Sequence, residues 1–324
     1  MKVSIIIPVY HVEKYIERCV MSVLKQDYRP LEVVFVDDFS NDKSLDYAKR
    51  TISEYGESQI EFQFIKQSEN RGQGIARNTG IESSTGDFLY FLDSDDQLCQ
   101  NAISVMAAQL AQFPQSEIVH GKMIYDDGRE IIKKTQDYLD GNHCIRNNHY
   151  SPQDVFLDSA CDKLIKKKFI VSNDLFFKGG IIFEDTHWLE RAIKKLQYIS
   201  FVSAPTYIRF INPNSTMTSL TKEREIINVG SILKDFVLSL DEPCYDAQLF
   251  TYFKKFILYY GASRGKYGYN ELYVKFEKEF FKRKFCKMAL YLLLYKCPFL
   301  PENKVKARLR GYMYKTINAF FDQK

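Results

Sequence analysis

A chain of 324 residues that is 45% hydrophobic and 27% charged has room for one large α/β domain with an appendage, or for two domains, and that balance excludes disorder as the default. Seven cysteines, an odd number without a C-x-x-C pair, argue against a disulfide framework and a thiolate zinc site and favour a reducing compartment. Net charge is only +4, yet from Lys254 onward 17 Lys and Arg face five Asp and Glu, which leaves −8 on the preceding chain; the basic tail points to an anionic partner, lipid headgroups or nucleic acid.

Val3–Ile7, apolar but for Ser4, reads as a strand of the kind buried on both faces of a sheet; stopped by Pro8, it is too short for a signal peptide. Glu13–Gln26 places Ile16, Val20, Val23 and Leu24 on one helical face. Leu31–Val36 reads as a strand ending at Asp37-Asp38, a short helix follows Ser44, and a third strand lies near Ile60–Ile65. Gly74–Ser83 reads as a helix and Phe88–Leu92 as a strand that ends at Asp93. Such alternation implies right-handed crossovers and a largely parallel sheet, whose ligands bind beyond the carboxyl ends of the strands. Pro8, Asp38 and Asp93 each follow such an end. Further on, Glu117–Tyr125 and Glu130–Lys133 flank Asp126-Asp127-Gly128 as a hairpin, and Gln136–Ser151 reads as a loop. Asp162–Ile170 resembles a helix, Gln197–Phe210 reads as strands broken by Pro205, and helical periods dominate from about Glu223. No apolar stretch of about 18 residues offers a membrane span, so a cytoplasmic location is expected.

Four segments could carry chemistry. Asp93-Ser94-Asp95-Asp96 places alternate carboxylates at a strand end, where Mg²⁺ or Mn²⁺ could relieve their repulsion and neutralise a phosphate group; an acidic turn is the plainer alternative. Asp37-Asp38 could accept from a base N–H or a ribose hydroxyl; the plainer alternative is an Asx-turn capping the next helix, which Ser40, Asn41 or Asp42 could supply, and both roles can hold together. Asn70–Gly80 is a glycine-bearing loop that enters a helix, a weak phosphate signal because the third glycine at dinucleotide-fold spacing is missing. Glu184-Asp185 could supply a general base, or only complement a helix dipole.

Together these segments resemble glycosyltransferase family 2, the inverting enzymes with a GT-A fold. The resemblance is carried in order and spacing by Ser4–Tyr10, Val36–Asp42, Asn70-Arg71-Gly72 with Ala76–Gly80, and Phe91–Asp96, and it resumes at Asp162-Lys163-Leu164, Glu184-Asp185 and Tyr207-Ile208-Arg209. It implies a Rossmann-like, mixed but mainly parallel sheet flanked by helices, in a domain of residues 1–215. Residues 1–110 would bind the nucleotide sugar and 111–215 the acceptor, and a helical basic region would follow over 216–324. Pro8, Val9 and Tyr10 would line the base and ribose pocket, Asp38 would hold the base, most often uracil, with Asp37 beside it, and Arg77 and Asn78 would approach the nucleotide or donor sugar. Asp93, with Ser94, would meet the ribose side and Asp95 the metal; Asp185, with Glu184 as second choice, would be the base. Two residues depart from the family pattern: His11 stands where Asn is usual, and Phe39 where Gly is frequent.

The expected reaction is transfer from a nucleoside-diphosphate sugar to a hydroxyl of a glycan or lipid-linked saccharide in cell-surface polysaccharide synthesis, with Mn²⁺ or Mg²⁺ and no nucleic-acid partner. The Lys- and aromatic-rich stretch Phe280–Lys296 fits a helix lying at the inner face of the cytoplasmic membrane, or equally one packed on the catalytic domain. A sugar-nucleotide pyrophosphorylase would need a Gly- and Arg-rich loop where Pro8-Val9-Tyr10-His11 stands. A non-catalytic membrane- or polyanion-binding protein would not need acids at its strand ends.

Overall fold

The structure is a computed structural model and describes residues 1–55, 59–131, 141–144 and 159–212, together with residues 220, 221, 224 and 228. The chain separates into two compact units, Met1–Ser219 and Leu220–Lys324. In the second unit Arg224 and Asn228 are helical, and the Thr221 hydroxyl accepts from the Arg224 N–H. The stretch Phe280–Lys296 lies outside the described residues.

The first unit opens with β1 (Val3–Val9), α1 (Ile16–Leu24), β2 (Leu31–Asp37), α2 (Ser44–Tyr55), β3 (Ile60–Lys66), α3 (Gln73–Ser83) and β4 (Phe88–Phe91). β5 (Gln97–Leu98), α4 (Ala102–Gln112), β6 (Ile118–Tyr125) and β7 (Gly141–Cys144) follow. β8 (Lys163–Lys166), α5 (Lys167–Ser172), α6 (Glu184–Lys195) and β9 (Tyr198–Arg209) complete it. One sheet runs β3-β2-β1-β4-β8-β6-β9-β5, with β7 also paired to β9. The four strands from β3 to β4 are parallel; β8 runs antiparallel to both its neighbours, which makes the sheet mixed.

Every residue of β1 and β2 is buried, as expected of central parallel strands covered by helices on both faces. α1 turns Ile16, Cys19, Val20, Val23 and Leu24 inward, and each fully buried aliphatic side chain contributes roughly 1.5–3 kcal/mol. α3 lies so close to β1 that a Cβ on Gly80 would fall 2.3 Å from the Ile6 side chain. The buried Glu32 of β2 is satisfied by the hydroxyls of Ser4 and Thr85 and by the Thr85 N–H.

Three sequence expectations are corrected beyond β4. Residues 162–170 are not one helix: Lys163–Lys166 forms β8 between β4 and β6, and only then does α5 begin. A short apolar run serves either state, and the open slot between two strands decided it. Pro205 does not break β9, because it pairs with Lys122 where the β6–β9 ladder already shifts register and a missing N–H costs little. Within the expected loop Gln136–Ser151, residues Gly141–Cys144 form β7; the rest of that loop lies outside the described residues. The hairpin turn at Asp126-Asp127-Gly128 forms, with a bridge between Ile124 and Glu130.

Candidate active site

At the carboxyl end of the parallel strands, the Asp38 N–H donates to the Val9 carbonyl and locks the ends of β1 and β2 together. Val9 is wholly buried and offers no surface to a ligand, whereas Tyr10 is 47% exposed. Asp37 accepts from the Ser40 N–H at 2.8 Å, which makes it the acceptor of a turn, and Lys66 lies 3.6 Å from its other oxygen. Asp38 accepts from the N–H groups of Arg71 and Gly72, each at 2.8 Å, and thereby holds the loop that opens α3. Asp42, one of the three residues expected to cap α2, does so through the Ser44 N–H and hydroxyl. Both departures from the family pattern take left-handed backbone, His11 at φ 53° and Phe39 at φ 66°.

The centre of the site is Arg77. Its side chain is buried, and it donates to Asp93 at 2.9 Å, to Glu184 at 3.0 Å and to Asp185. Burial opposes its charge, and Asp185, Asp93 and Glu184 outweigh that cost and hold its pKa well above the ordinary value. Its guanidinium also lies 5.2 Å from the centre of the Phe177 ring, which stacks on Trp188. Asn78 is spent differently from the expectation of a donor contact. Its amide donates to the Phe177 carbonyl at 2.8 Å and accepts from the Phe177 N–H at 2.7 Å, clamping this segment to α3. A Cβ on Gly74 would meet Phe177, Lys178 and Glu184 at 3.1–3.2 Å, so a larger residue there would press on these neighbours.

Burial first, and then the Asp185 charge, raises the Glu184 carboxyl to about 7; Asp185 is also raised, by burial against the opposing pull of Arg77. Both acids open α6 after Phe183, whose φ is 70°. They therefore combine the expected first-turn placement with an inward-facing ion-pair network.

The D-x-D segment is held by side chains and main chain from α3 and from β9 and the residues that follow it. Gln73 donates to Asp93 at 2.6 Å, Asn212 to Asp95 at 2.9 Å, and Tyr207 and the Phe210 N–H to Asp96 at 2.7 and 2.8 Å. Arg18 donates to the Asp95 carbonyl from a position over the Phe210 ring. Ser94 is buried between the acids. Burial and then Asp93 raise the Asp95 carboxyl; burial, Asp93 and Asp95 push Asp96 to about 7. Three carboxylates, those of Asp93, Glu184 and Asp185, share one buried arginine, an excess of negative charge that a cation would relieve. Among the described residues no group of three or more His, Cys, Asp or Glu forms a protein cage for a metal. Asp93 and Asp95 supply hard oxygens and would leave the remaining positions to phosphate and water, the usual arrangement for Mg²⁺ and consistent with Mn²⁺.

Residues 4–171 match the family described as Glycosyl transferase family 2. The chain belongs to that family. The match takes in the strand ends and the D-x-D loop and stops before Glu184 and Asp185, whose place in the site is seen from geometry alone. The chain is 29% identical to glycosyltransferase GlyA of Streptococcus pneumoniae over 228 residues, covering 66% of this chain but only 31% of GlyA, about a third of that protein's length. It is 24% identical over 200 residues, 61% of this chain and 62% of the other, to the GalNAc(5)-diNAcBac-PP-undecaprenol beta-1,3-glucosyltransferase of Campylobacter jejuni. The crystal structure of S. aureus TarS residues 1–349 in complex with UDP-GlcNAc superposes with a TM-score of 0.67 at 20% identity, covering 100% of this chain and 92% of that one. The first unit therefore has the GT-A fold of this family.

Sequence reasoning did not single out Gln73, Arg18, Asn212 or Phe177. Gln73 sits in the quoted Asn70–Gly80 loop and was open to notice there; the other three reach the site only through long-range packing and carry no local signal.

Proposed function

We propose that this family 2 protein transfers a sugar with inversion from a nucleoside-diphosphate sugar, a UDP-sugar by preference, to a hydroxyl of a glycan or lipid-linked saccharide in bacterial cell-surface polysaccharide synthesis. The observation that carries the reading is the sharing of Arg77 between Asp93 on the donor side and Glu184 and Asp185 on the acceptor side. One buried cation thus sets the spacing between a diphosphate-binding loop and a base. The TarS complex with UDP-GlcNAc supports the donor class, and the undecaprenol-linked acceptor in the name of the Campylobacter relative supports the acceptor class.

Tyr10 presents an exposed ring to the base, while the loop pinned by Asp38 turns toward the nucleotide. Asp185 takes the proton of the acceptor hydroxyl; that oxygen bonds to the anomeric carbon as the bond from that carbon to the diphosphate oxygen breaks on the opposite face. Glu184 shares Arg77 and, by its own charge, keeps the pair basic near neutral pH. A divalent cation held by Asp95 and Asp93 would supply Lewis-acid neutralisation of the leaving diphosphate. Among the described residues no helix is long and apolar enough to cross a membrane, and the surplus of basic residues after Lys254 is read as a peripheral contact with anionic lipid on the cytoplasmic face.

The test is nucleoside-diphosphate release and glycan transfer from a panel of nucleotide sugars, with Mn²⁺ and with EDTA. The expected result is metal-dependent transfer that Asp185→Asn abolishes while donor affinity holds. Collapse of donor affinity in that variant removes Asp185 from the role of base. Retention of liposome binding after deletion of residues beyond 280 would remove the tail from membrane contact.

A further inference from the structure

Asp95 is held through both its main chain and its side chain. Arg18 donates to its carbonyl, with the guanidinium 3.6 Å from the centre of the Phe210 ring and 5.0 Å from that of Tyr15. Asn212 donates to its carboxylate oxygen Oδ2 at 2.9 Å. An ionised carboxylate only accepts, so the nitrogen of the Asn212 amide has to face it and the amide oxygen has to face away. That oxygen accepts from the Tyr15 hydroxyl at 3.4 Å. A relay therefore runs from Tyr15, the residue ahead of α1, through Asn212, which lies beyond the end of β9, to the acid. Phe210 donates its N–H to Asp96 at 2.8 Å, so the main chain that carries Asn212 is fixed to the same loop.

The two acids of the D-x-D pair are met by different kinds of donor. Asp93 meets the charge of Arg77 at 2.9 Å, which offsets its own. Asp95 meets the neutral amide of Asn212, which orients a carboxylate without cancelling its charge. The bond to Oδ2 also selects the rotamer that decides where the second oxygen lies. Without it, repulsion from Asp93 would favour a rotamer of Asp95 turned away from its neighbour. Donors of this kind behind a ligating carboxylate aim it at a metal. We propose that Asn212, with its amide set by Tyr15, is a positioning residue that aims Asp95 at a divalent cation. The proposal rests on the reading above in which Asp95 holds that cation. It gives a role to a residue whose only signal is its place in the fold, and it makes the segment after β9 part of the cation site.

The test uses the full chain and reads Mn²⁺ binding, with and without UDP, from the electron paramagnetic resonance signal of the free ion. Asn212→Leu keeps the size of the side chain and removes the amide at a half-buried position outside the core. It should weaken Mn²⁺ binding about tenfold or more, the usual loss when a donor behind a metal ligand is removed. UDP affinity in EDTA should stay within about twofold of wild type, a split that general loosening of the site would not give. Asn212→Ala serves if the first variant does not fold, with the same expectations. Wild-type Mn²⁺ affinity in either folded variant overturns the proposal, and so does an equal loss of Mn²⁺ and UDP affinity. Asp95→Ala run alongside separates the two ideas. If it binds Mn²⁺ as the wild type does, the cation reading fails and the proposal falls with it. If it loses Mn²⁺ while Asn212→Leu keeps it, the positioning role alone is defeated.

Discussion

Arg77 and Asp185 stand 108 residues apart in the chain, and the guanidinium of one touches the carboxylate of the other inside the protein. The pairing joins α3, which opens on the loop held by Asp38, to α6, which carries the acids. Arg77→Met leaves Asp93, Glu184 and Asp185 without their shared counter-charge, and loss of one partner of a buried ion pair costs about 3–5 kcal/mol. The cost should depend on pH with a definite sign. Carboxyls whose folded pKa is raised stabilise the fold at low pH and lose that contribution as pH rises through the folded value. Urea denaturation should therefore show a larger deficit for Arg77→Met at pH 8 than at pH 5; an equal deficit at both means that the acids are not held by this arginine.

The acid limb of the rate profile follows from the same pair. Glu184 titrates at about 7 because it is buried and because Asp185 is already charged beside it. Repulsion is mutual, so Glu184→Gln removes a like charge from Asp185 and should move the acid limb of kcat to lower pH, with transfer still present. Asp185→Asn should leave no transfer at any pH. If the two variants behave the other way round, Glu184 is the base.

The strands β1, β2 and β4 were legible in the sequence, and the rest was legible in proportion to how local its signals were. Val3–Ile7, Leu31–Val36 and Phe88–Leu92 are runs that are apolar but for Ser4 and Glu32, so the strands could be read directly, although β1 runs on through Pro8 to Val9. Beyond β4 the signals turn ambiguous: Leu164 and Ile165 suit a helix as well as a strand, and only the gap between β4 and β6 makes them β8. Asn78 follows Arg77 in the same motif, yet one faces a cluster of acids and the other the Phe177 backbone. The direction in which each side chain leaves α3 decides this, and a linear motif does not carry it.

Metal binding should register as stability, independently of turnover. Asp95 is raised by burial and then by Asp93, and a divalent cation on these oxygens would exchange that repulsion for attraction. At about 100 times its dissociation constant a ligand adds about 2.7 kcal/mol to unfolding. Mn²⁺ should accordingly raise the thermal midpoint of the wild type at pH 7.5, raise it less at pH 5, where protons compete for the oxygens, and leave Asp95→Ala unmoved. A Mn²⁺ shift retained in Asp95→Ala places the cation elsewhere.

The two departures from the family pattern make a last prediction, because both lie where the backbone is left-handed. That conformation costs an L-residue other than Asn or Asp roughly 1–2 kcal/mol, and glycine nothing. Phe39 pays this cost with a ring that is 51% exposed, so little packing offsets it. Against the relief stands the extra chain entropy that glycine loses on folding, about 0.5–1 kcal/mol. The balance favours Phe39→Gly, with a gain of up to about 1 kcal/mol in denaturant unfolding. His11 tolerates the same geometry better than a bulky apolar residue, and His11→Asn should move stability by only a few tenths of a kcal/mol. If the proposed nucleotide site is right, contact of the exposed Phe39 ring with the bound donor would account for keeping this strain. Phe39→Gly should therefore be more stable and yet show a higher KM for the nucleotide sugar, measured on the same preparations. Higher stability with an unchanged KM would mean that the ring has no part in donor binding.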